Sequence, residues 1–325
     1  MLAAVNFHYI RENYDYPIRA IHGTNSTLFR KQLELLSKEG VFVSSQEVYQ
    51  AVIEKHPLPK NSILITFDDG LKEQFEVALP ILMDMGIPAI FFVNPFNIIE
   101  SKISSVHQIH LLRSFLPAAE LLSKIDTYGI NVKLNPSEEK LAQDHYNYDQ
   151  VSDAILKYFL NFKLQLIHKD SLINQLFNDC FSRQEIEDFH DQFYMDLTMI
   201  STLDQLGMIG SHTYSHQPLG LLPDNMLFEE FQKTNQFFND NGLTSPKSVS
   251  YPYGNYESCT RRVQEIAKKF NFCFGFTMER AGNQSLVENA LHLARFDCND
   301  VVGGKSCIFQ QGKMFETMNI GNWKF

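Results

Sequence analysis

The sequence predicts an α/β fold whose strand–helix alternation is broken once by a block of helices. Three observations carry the prediction. Short apolar runs rich in β-branched and aromatic residues alternate with segments of helical periodicity. From about residue 97 to 199 the strand-like runs stop and helical patterns take over. Past residue 205 the alternation returns.

Leu2–Phe7 (LAAVNF) reads as the first strand. Phe29–Gly40 follows as a helix, with Phe29, Leu33, Leu35 and Leu36 at helical spacing and Gly40 as a stop. Ser45–Glu54 is a second short helix, and Pro57-Leu58-Pro59 breaks the chain before the strand Ser62–Phe67 (SILITF). A helix over Phe75–Met85, ended by Gly86, leads into the buried strand Ala89–Val93. Strand–helix–strand units with short links imply parallel pairing.

The central block holds helical patterns at Val106–Phe115, Ala118–Ile125, Tyr148–Leu166 and Gln184–Phe193. It predicts a helical insertion or lid over 97–199, with 1–96 and 200–325 forming the α/β domain; a stretch of about 100 residues is the size of a small domain. Further strands are expected at Gln205–Ser211, Ser248–Tyr251, Cys273–Thr277 and His292–Phe296. Helices at Asn225–Asn239 and Cys259–Phe270 separate them.

The formal net charge of -10, without a dense Lys/Arg run, argues against a nucleic-acid partner. Cys180, Cys259, Cys273, Cys298 and Cys307 are odd in number and lack C-x-x-C spacing, which speaks against a disulfide framework or a cysteine zinc site. The N-terminal residues have no basic region followed by a long apolar stretch, and no run approaches a membrane span. A cytoplasmic location is the expectation.

Two clusters carry chemistry. Thr66-Phe67-Asp68-Asp69-Gly70 directly follows a strand, at the end where parallel α/β folds bind ligands. Adjacent carboxylates repel, and a cation relieves that cost; Gly70 permits a sharp exit turn. Alone, Asp-Asp-Gly is more often a solvated turn or cap. Ser211-His212-Thr213-Tyr214-Ser215-His216 also follows a strand, and His-x3-His on one helical turn suits a single divalent ion. Together they offer Asp69, His212 and His216 as a three-ligand site with open positions, the pattern of a catalytic metal. The spare carboxylate, Asp68, is then the base. Zinc suits two imidazoles and a carboxylate, with cobalt or nickel as alternatives. A third run, Ser250-Tyr251-Pro252-Tyr253-Gly254-Asn255-Tyr256, makes a flat aromatic wall that suits sugar rings or simply packs on the core.

With these motifs in order, TFDDG at 66–70, SHTYSH at 211–216 and YPYG at 251–254, the chain resembles the metal-dependent polysaccharide deacetylases of the NodB-homology group. The resemblance covers roughly 2–96 and 203–300. It implies a distorted (β/α) barrel with fewer than eight strands, carrying the helical insertion. It implies a carbohydrate deacetylase, acting on an acetylated sugar, glycan or sugar-linked precursor, in which metal-bound water attacks the acetyl carbonyl and Asp68 takes its proton. By position, the N–H of Tyr253 resembles the oxyanion donor.

Two departures stand out. Many members carry an Arg shortly before the Pro-Tyr pair, where it holds the base Asp; Lys247–Tyr251 contains none, and Arg295 on a late strand is the candidate replacement, a surface salt bridge being the alternative. The Leu-x-His that supplies the general acid is not clear. His292 in Leu291-His292-Leu293 is one candidate, and His8 at the end of the first strand is favoured. Two other readings remain: hydrolysis of another C–N bond in a cyclic amide or imide, and a catalytically degenerate glycan-binding protein.

Overall fold

The computed structural model describes residues 1–12, 23–146 and 149–323, with the backbone alone at 166 and 167. The chain divides into two compact units. One comprises Met1–Glu12, Gly23–Lys102 and Asp191–Phe325; the other, Ile103–His190 with 13–22, the latter outside the described residues.

The first unit is built on eight parallel strands: β1 (Leu2–Phe7), β2 (Val41–Phe42), β3 (Ser62–Phe67), β4 (Ala89–Val93), β5 (Ile209–Ser211), β6 (Ser248–Ser250), β7 (Phe274–Phe276) and β8 (Arg295–Asp297). Their order is β7-β6-β5-β4-β3-β1-β8, with β2 paired to the start of β3 beside that path. A parallel bridge from Phe276 to Leu293, just ahead of β8, joins the two ends of the path. The result is a nearly closed seven-strand parallel barrel, the distorted (β/α) barrel that the sequence predicts.

Side-chain alternation along the strands sorts the core into two layers. Ala3, Val5, Phe7, Ile63, Ile65, Phe67, Ala89, Phe91 and Val93 pack with helix residues such as Phe29, Leu33, Leu82, Ile200, Leu203 and Phe238. Phe67 and Phe91 stack at 4.6 Å between ring centres, and Phe7 meets Phe29 edge-on at 5.0 Å. The opposite parity, Leu2, Ala4, Leu64, Ile90, Phe92, Phe274 and Phe276, fills the inside and continues into Val48 and Val52 of helix Ser45–Ile53. A Cβ on Gly210 would lie 2.5 Å from the Phe92 ring, so this position of β5 has room for glycine alone.

Several element boundaries depart from the sequence reading. Helix Ser26–Leu36 stops four residues before Gly40, because Ser37–Glu39 fold into a turn that delivers Val41 to β2, a two-residue strand the sequence pattern does not reveal. Residues 74–85 are not one α-helix: Gln74–Ala78 is a π turn and Leu79–Met85 is α-helical, capped by Gly86 at φ 65°. Gln205 ends the helix Leu197–Gln205 and only Ile209–Ser211 is strand. His292 lies in a 3-10 turn rather than in the last strand, which starts at Arg295.

The second unit is helical, and its main stretch, Ile103–His190, is shorter than the block 97–199 read from the sequence. Its helices are Ser105–Phe115, Ala118–Thr127, Pro136–His145, Val151–Tyr158, Leu166–Cys180 and most of Arg183–Phe193. The predicted helix Tyr148–Leu166 begins on a residue outside those described; from 151 it runs to Tyr158, continues as a π turn over Phe159–Lys163, and breaks before Leu166. Phe115, Phe181 and Phe189 form an aromatic knot within the unit, with ring centres 5.2–5.6 Å apart.

Candidate active site

The inner face of the barrel turns polar at the carboxyl ends of its strands. Asn6 on β1, Thr66 on β3, Ser250 on β6 and Arg295 on β8 share the parity of the apolar lumen below them, and all are buried. Asp68, one residue past β3, joins this layer with 3% exposure. Arg295 grips it with two bonds, Nη1 to Oδ1 at 2.9 Å and Nη2 to Oδ2 at 2.7 Å. The remaining guanidinium bonds go to Asn6 Oδ1 at 3.0 Å, the Ser250 hydroxyl at 2.9 Å and the Thr66 hydroxyl at 3.4 Å. Asn6 completes the ring by donating from Nδ2 to Asp68 Oδ2 at 3.0 Å. These partners serve the two terminal nitrogens, Nε making no hydrogen bond, and a planar fork meets a carboxylate better than a lysine would. Burial pushes the Asp68 carboxyl upward, but Arg295 and then His212 outweigh it, and the group is lowered to about 2.

Asp69 faces the two histidines. Its Oδ1 lies 3.4 Å from His212 Nε2 and 3.3 Å from His216 Nε2, and one ligand atom from each of the three residues falls within 4.8 Å of the others. All three are buried. The His212 Nδ1–H donates to the Ser250 carbonyl at 2.7 Å. A carbonyl only accepts, so Nδ1 holds the proton and the Nε2 lone pair points at the cluster, the tautomer a metal ligand needs. Two imidazole nitrogens and one carboxylate oxygen therefore suit a divalent ion such as zinc.

The two histidines do not come from a helical turn, as their spacing suggests. Residues 212–216 form a loop in which Thr213 (φ 60°) and His216 (φ 59°) adopt left-handed backbone. Asp69 (φ 78°) and Tyr253 (φ 63°) do the same on their own loops. Left-handed non-glycine residues cost energy and persist where surroundings hold them. Here the holders are visible. Buried Glu230, on helix Asp224–Asp240, accepts from the N–H of Tyr214 at 3.0 Å, the N–H of Ser215 at 2.9 Å, and the Ser215 hydroxyl. Asn94 donates to the carbonyls of His212 and Thr213. Gln74 donates to the carbonyls of His8 and Asp68, tying the ends of β1 and β3 together. Burial raises the Glu230 carboxyl above its usual range despite the donors around it.

Of the remaining predicted residues, His8 comes to the site: its Nε2 is 4.0 Å from Asp68 Oδ2, and its side chain is about one-third exposed. The Tyr253 ring sits 5.2 Å from the His216 ring, and Tyr253 is 40% exposed. His292 goes elsewhere. It pairs through Nδ1 with Gln264 on helix Arg261–Lys269 and faces the Tyr251 ring edge-on at 6.1 Å. Burial lowers its pKa to about 3, so at neutral pH it is an uncharged imidazole rather than an imidazolium acid.

Sequence reading missed Asn6, Ser250, Gln74, Asn94 and Glu230. Only Asn6 left a signal, as the single amide within an otherwise apolar strand, where a buried polar group demands partners. Gln74 and Glu230 sit on helices whose polar positions read as solvent-facing.

The sequence model described as polysaccharide deacetylase matches residues 55–134 and 199–273. Those stretches contain Asp68, Asp69, His212, His216 and Tyr253, and leave Asn6, His8, His292 and Arg295 outside. No curated protein matches the sequence at a significant level. Among solved structures, the deacetylase PplD of Streptococcus pyogenes, in complex with acetate, is similar at 17% identity and TM-score 0.54, over 91% of either chain. IcaB of Ammonifex degensii is similar at 18% identity and TM-score 0.54, over 91% of this chain and 90% of that one. A de-N-acetylase of Aggregatibacter actinomycetemcomitans reaches 15% identity and TM-score 0.52, over 94% and 97%. At these identities the likeness is one of fold, a nearly closed (β/α) barrel. The family's own pattern runs through both halves of the motif set, and the barrel brings those halves together at one strand edge: over these stretches the chain is similar to the polysaccharide deacetylases.

Proposed function

We propose that the chain hydrolyses an N-acetyl group on a sugar of a glycan or glycan precursor, with a divalent metal held by Asp69, His212 and His216. The observation that carries the reading is the convergence of that buried donor set beside a carboxylate, Asp68, clamped by Arg295. A divalent ion bound there would polarise the acetyl carbonyl and acidify water.

The chain's own groups supply the rest. Asp68 takes the proton from the attacking water; each carboxylate oxygen has two lone-pair sites, so the Arg295 bonds leave acceptor capacity. Arg295 and Asn6 fix the plane of Asp68 so that this capacity faces the substrate. The Tyr253 N–H, on the left-handed turn before Gly254, donates to the developing oxyanion. His8, within 4.0 Å of Asp68 and open to solvent on one side, gives a proton to the leaving amine.

Zinc-loaded protein should release acetate from N-acetylglucosamine oligomers, and a chelator should stop it. Asp68→Asn should abolish release with zinc still bound, whereas His212→Ala should lose the zinc. Equal metal loss in both variants would overturn the division of roles. Turnover of a cyclic imide in place of acetate release would move the activity to another C–N bond.

A further inference from the structure

The barrel unit contains a cavity of about 340 Å³ whose lining shares no residue with the cluster around Asp68 and Asp69. Its walls come from the segment after β7 and from the stretch 320–323. The two are tied together. Glu279 Oε1 accepts from the N–H of Asn322 at 2.6 Å and of Trp323 at 3.2 Å, and the Gly321 N–H donates to the Gly282 carbonyl at 2.9 Å. Trp323 is thereby held in place before any ligand arrives, which lowers the ordering cost of binding.

The cavity is also linked to the loop that carries Tyr253. The Met278 N–H donates to the Gly254 carbonyl at 2.8 Å, one residue before Glu279. The Trp323 ring meets the half-exposed Tyr256 ring edge-on at 5.8 Å, three residues past Tyr253. The same loop thus carries one ring against His216, that of Tyr253, and one against Trp323, that of Tyr256.

The lining chemistry selects a class of ligand. Trp323 offers an apolar face, while Gln284, Ser285, Glu288 and Asn289 offer amide, hydroxyl and carboxylate groups. That combination matches the apolar face and hydroxyl rim of a pyranose. The lining has two glutamates and neither lysine nor arginine, which disfavours phosphate, sulfate or uronic acid.

We propose that this cavity is a second carbohydrate subsite, taking a neutral or amine-bearing sugar residue remote from the one whose acetyl group is removed. The substrate is then an oligomer or polymer rather than a single sugar. This rests on the deacetylase reading above.

Trp323 is the chain's only tryptophan, so tryptophan fluorescence reports this cavity. Asp69→Ala protein, stripped of metal, should show a saturable fluorescence change with the N-acetylglucosamine hexamer and a far weaker one with the monomer. In zinc-loaded enzyme, Trp323→Ala should raise KM for the hexamer about tenfold, with kcat and the kinetics on the dimer unchanged. A fluorescence signal that ignores the hexamer, or an equal loss on dimer and hexamer, overturns the subsite. Intact fluorescence binding without acetate release from any acetylated sugar would instead sink the deacetylase reading and leave the subsite standing.

Discussion

Both carboxylate oxygens of Asp68 are held by the guanidinium of Arg295, 227 residues away in the chain and on the other side of β1. Neither side chain is open to water. Removing one partner strands the other as an uncompensated buried charge. Arg295→Ala should therefore cost about 3–5 kcal/mol in urea unfolding and abolish turnover. Arg295→Lys keeps the charge but not the two-pronged grip, and should keep more stability than activity. If Asp68→Asn with Arg295→Met recovers stability without turnover, the ion pair serves catalysis rather than folding.

Glu230 accepts the N–H groups of Tyr214 and Ser215, which lie between His212 and His216 in the chain. Glu230→Ala should weaken zinc affinity about 10–100-fold by calorimetric titration. The far-ultraviolet circular dichroism should be unchanged. An unaltered affinity would show that the loop holds its left-handed residues without this carboxylate.

His8 and His292 were both candidates for proton donor by sequence, His8 the favoured one. With His8 at Asp68 and His292 paired to Gln264, His8→Ala should lower kcat about 10²–10⁴-fold. KM and bound zinc should stay near their original values. Full activity in His8→Ala would leave the leaving amine to solvent protonation.

His292 has a consequence for stability instead. Unfolded, it takes a proton near its ordinary value of 6.5; folded, burial delays this to about 3. Between those values the unfolded chain binds more protons, so His292 draws stability down as pH falls. Thermal melts at about pH 7 and about pH 5 should show a smaller acid loss in His292→Gln than in the original protein. Equal losses in both would mean His292 can relax to water on protonation.

The Asp69, His212 and His216 cluster was legible because its motifs are local. Two carboxylates after SILITF and two histidines four apart carry their chemistry within a few residues, and the strand endings that place them are readable from apolar runs. The proton-handling half was not. Arg295 reaches Asp68 only because Ala4 pairs with Arg295 and Asn6 with Thr66, in one register. A one-residue slip of β8 would turn Arg295 out of the barrel and leave Asp68 alone. His292 was misread for a related reason: the last strand begins three residues later than its apolar pattern suggests. The sequence by itself determined the fold class and singled out the Asp69, His212 and His216 cluster with Asp68 beside it. Which cation holds that base, which histidine reaches it and what braces the ligand loop were decided by strand register and loop packing, because those contacts join residues that no local pattern relates.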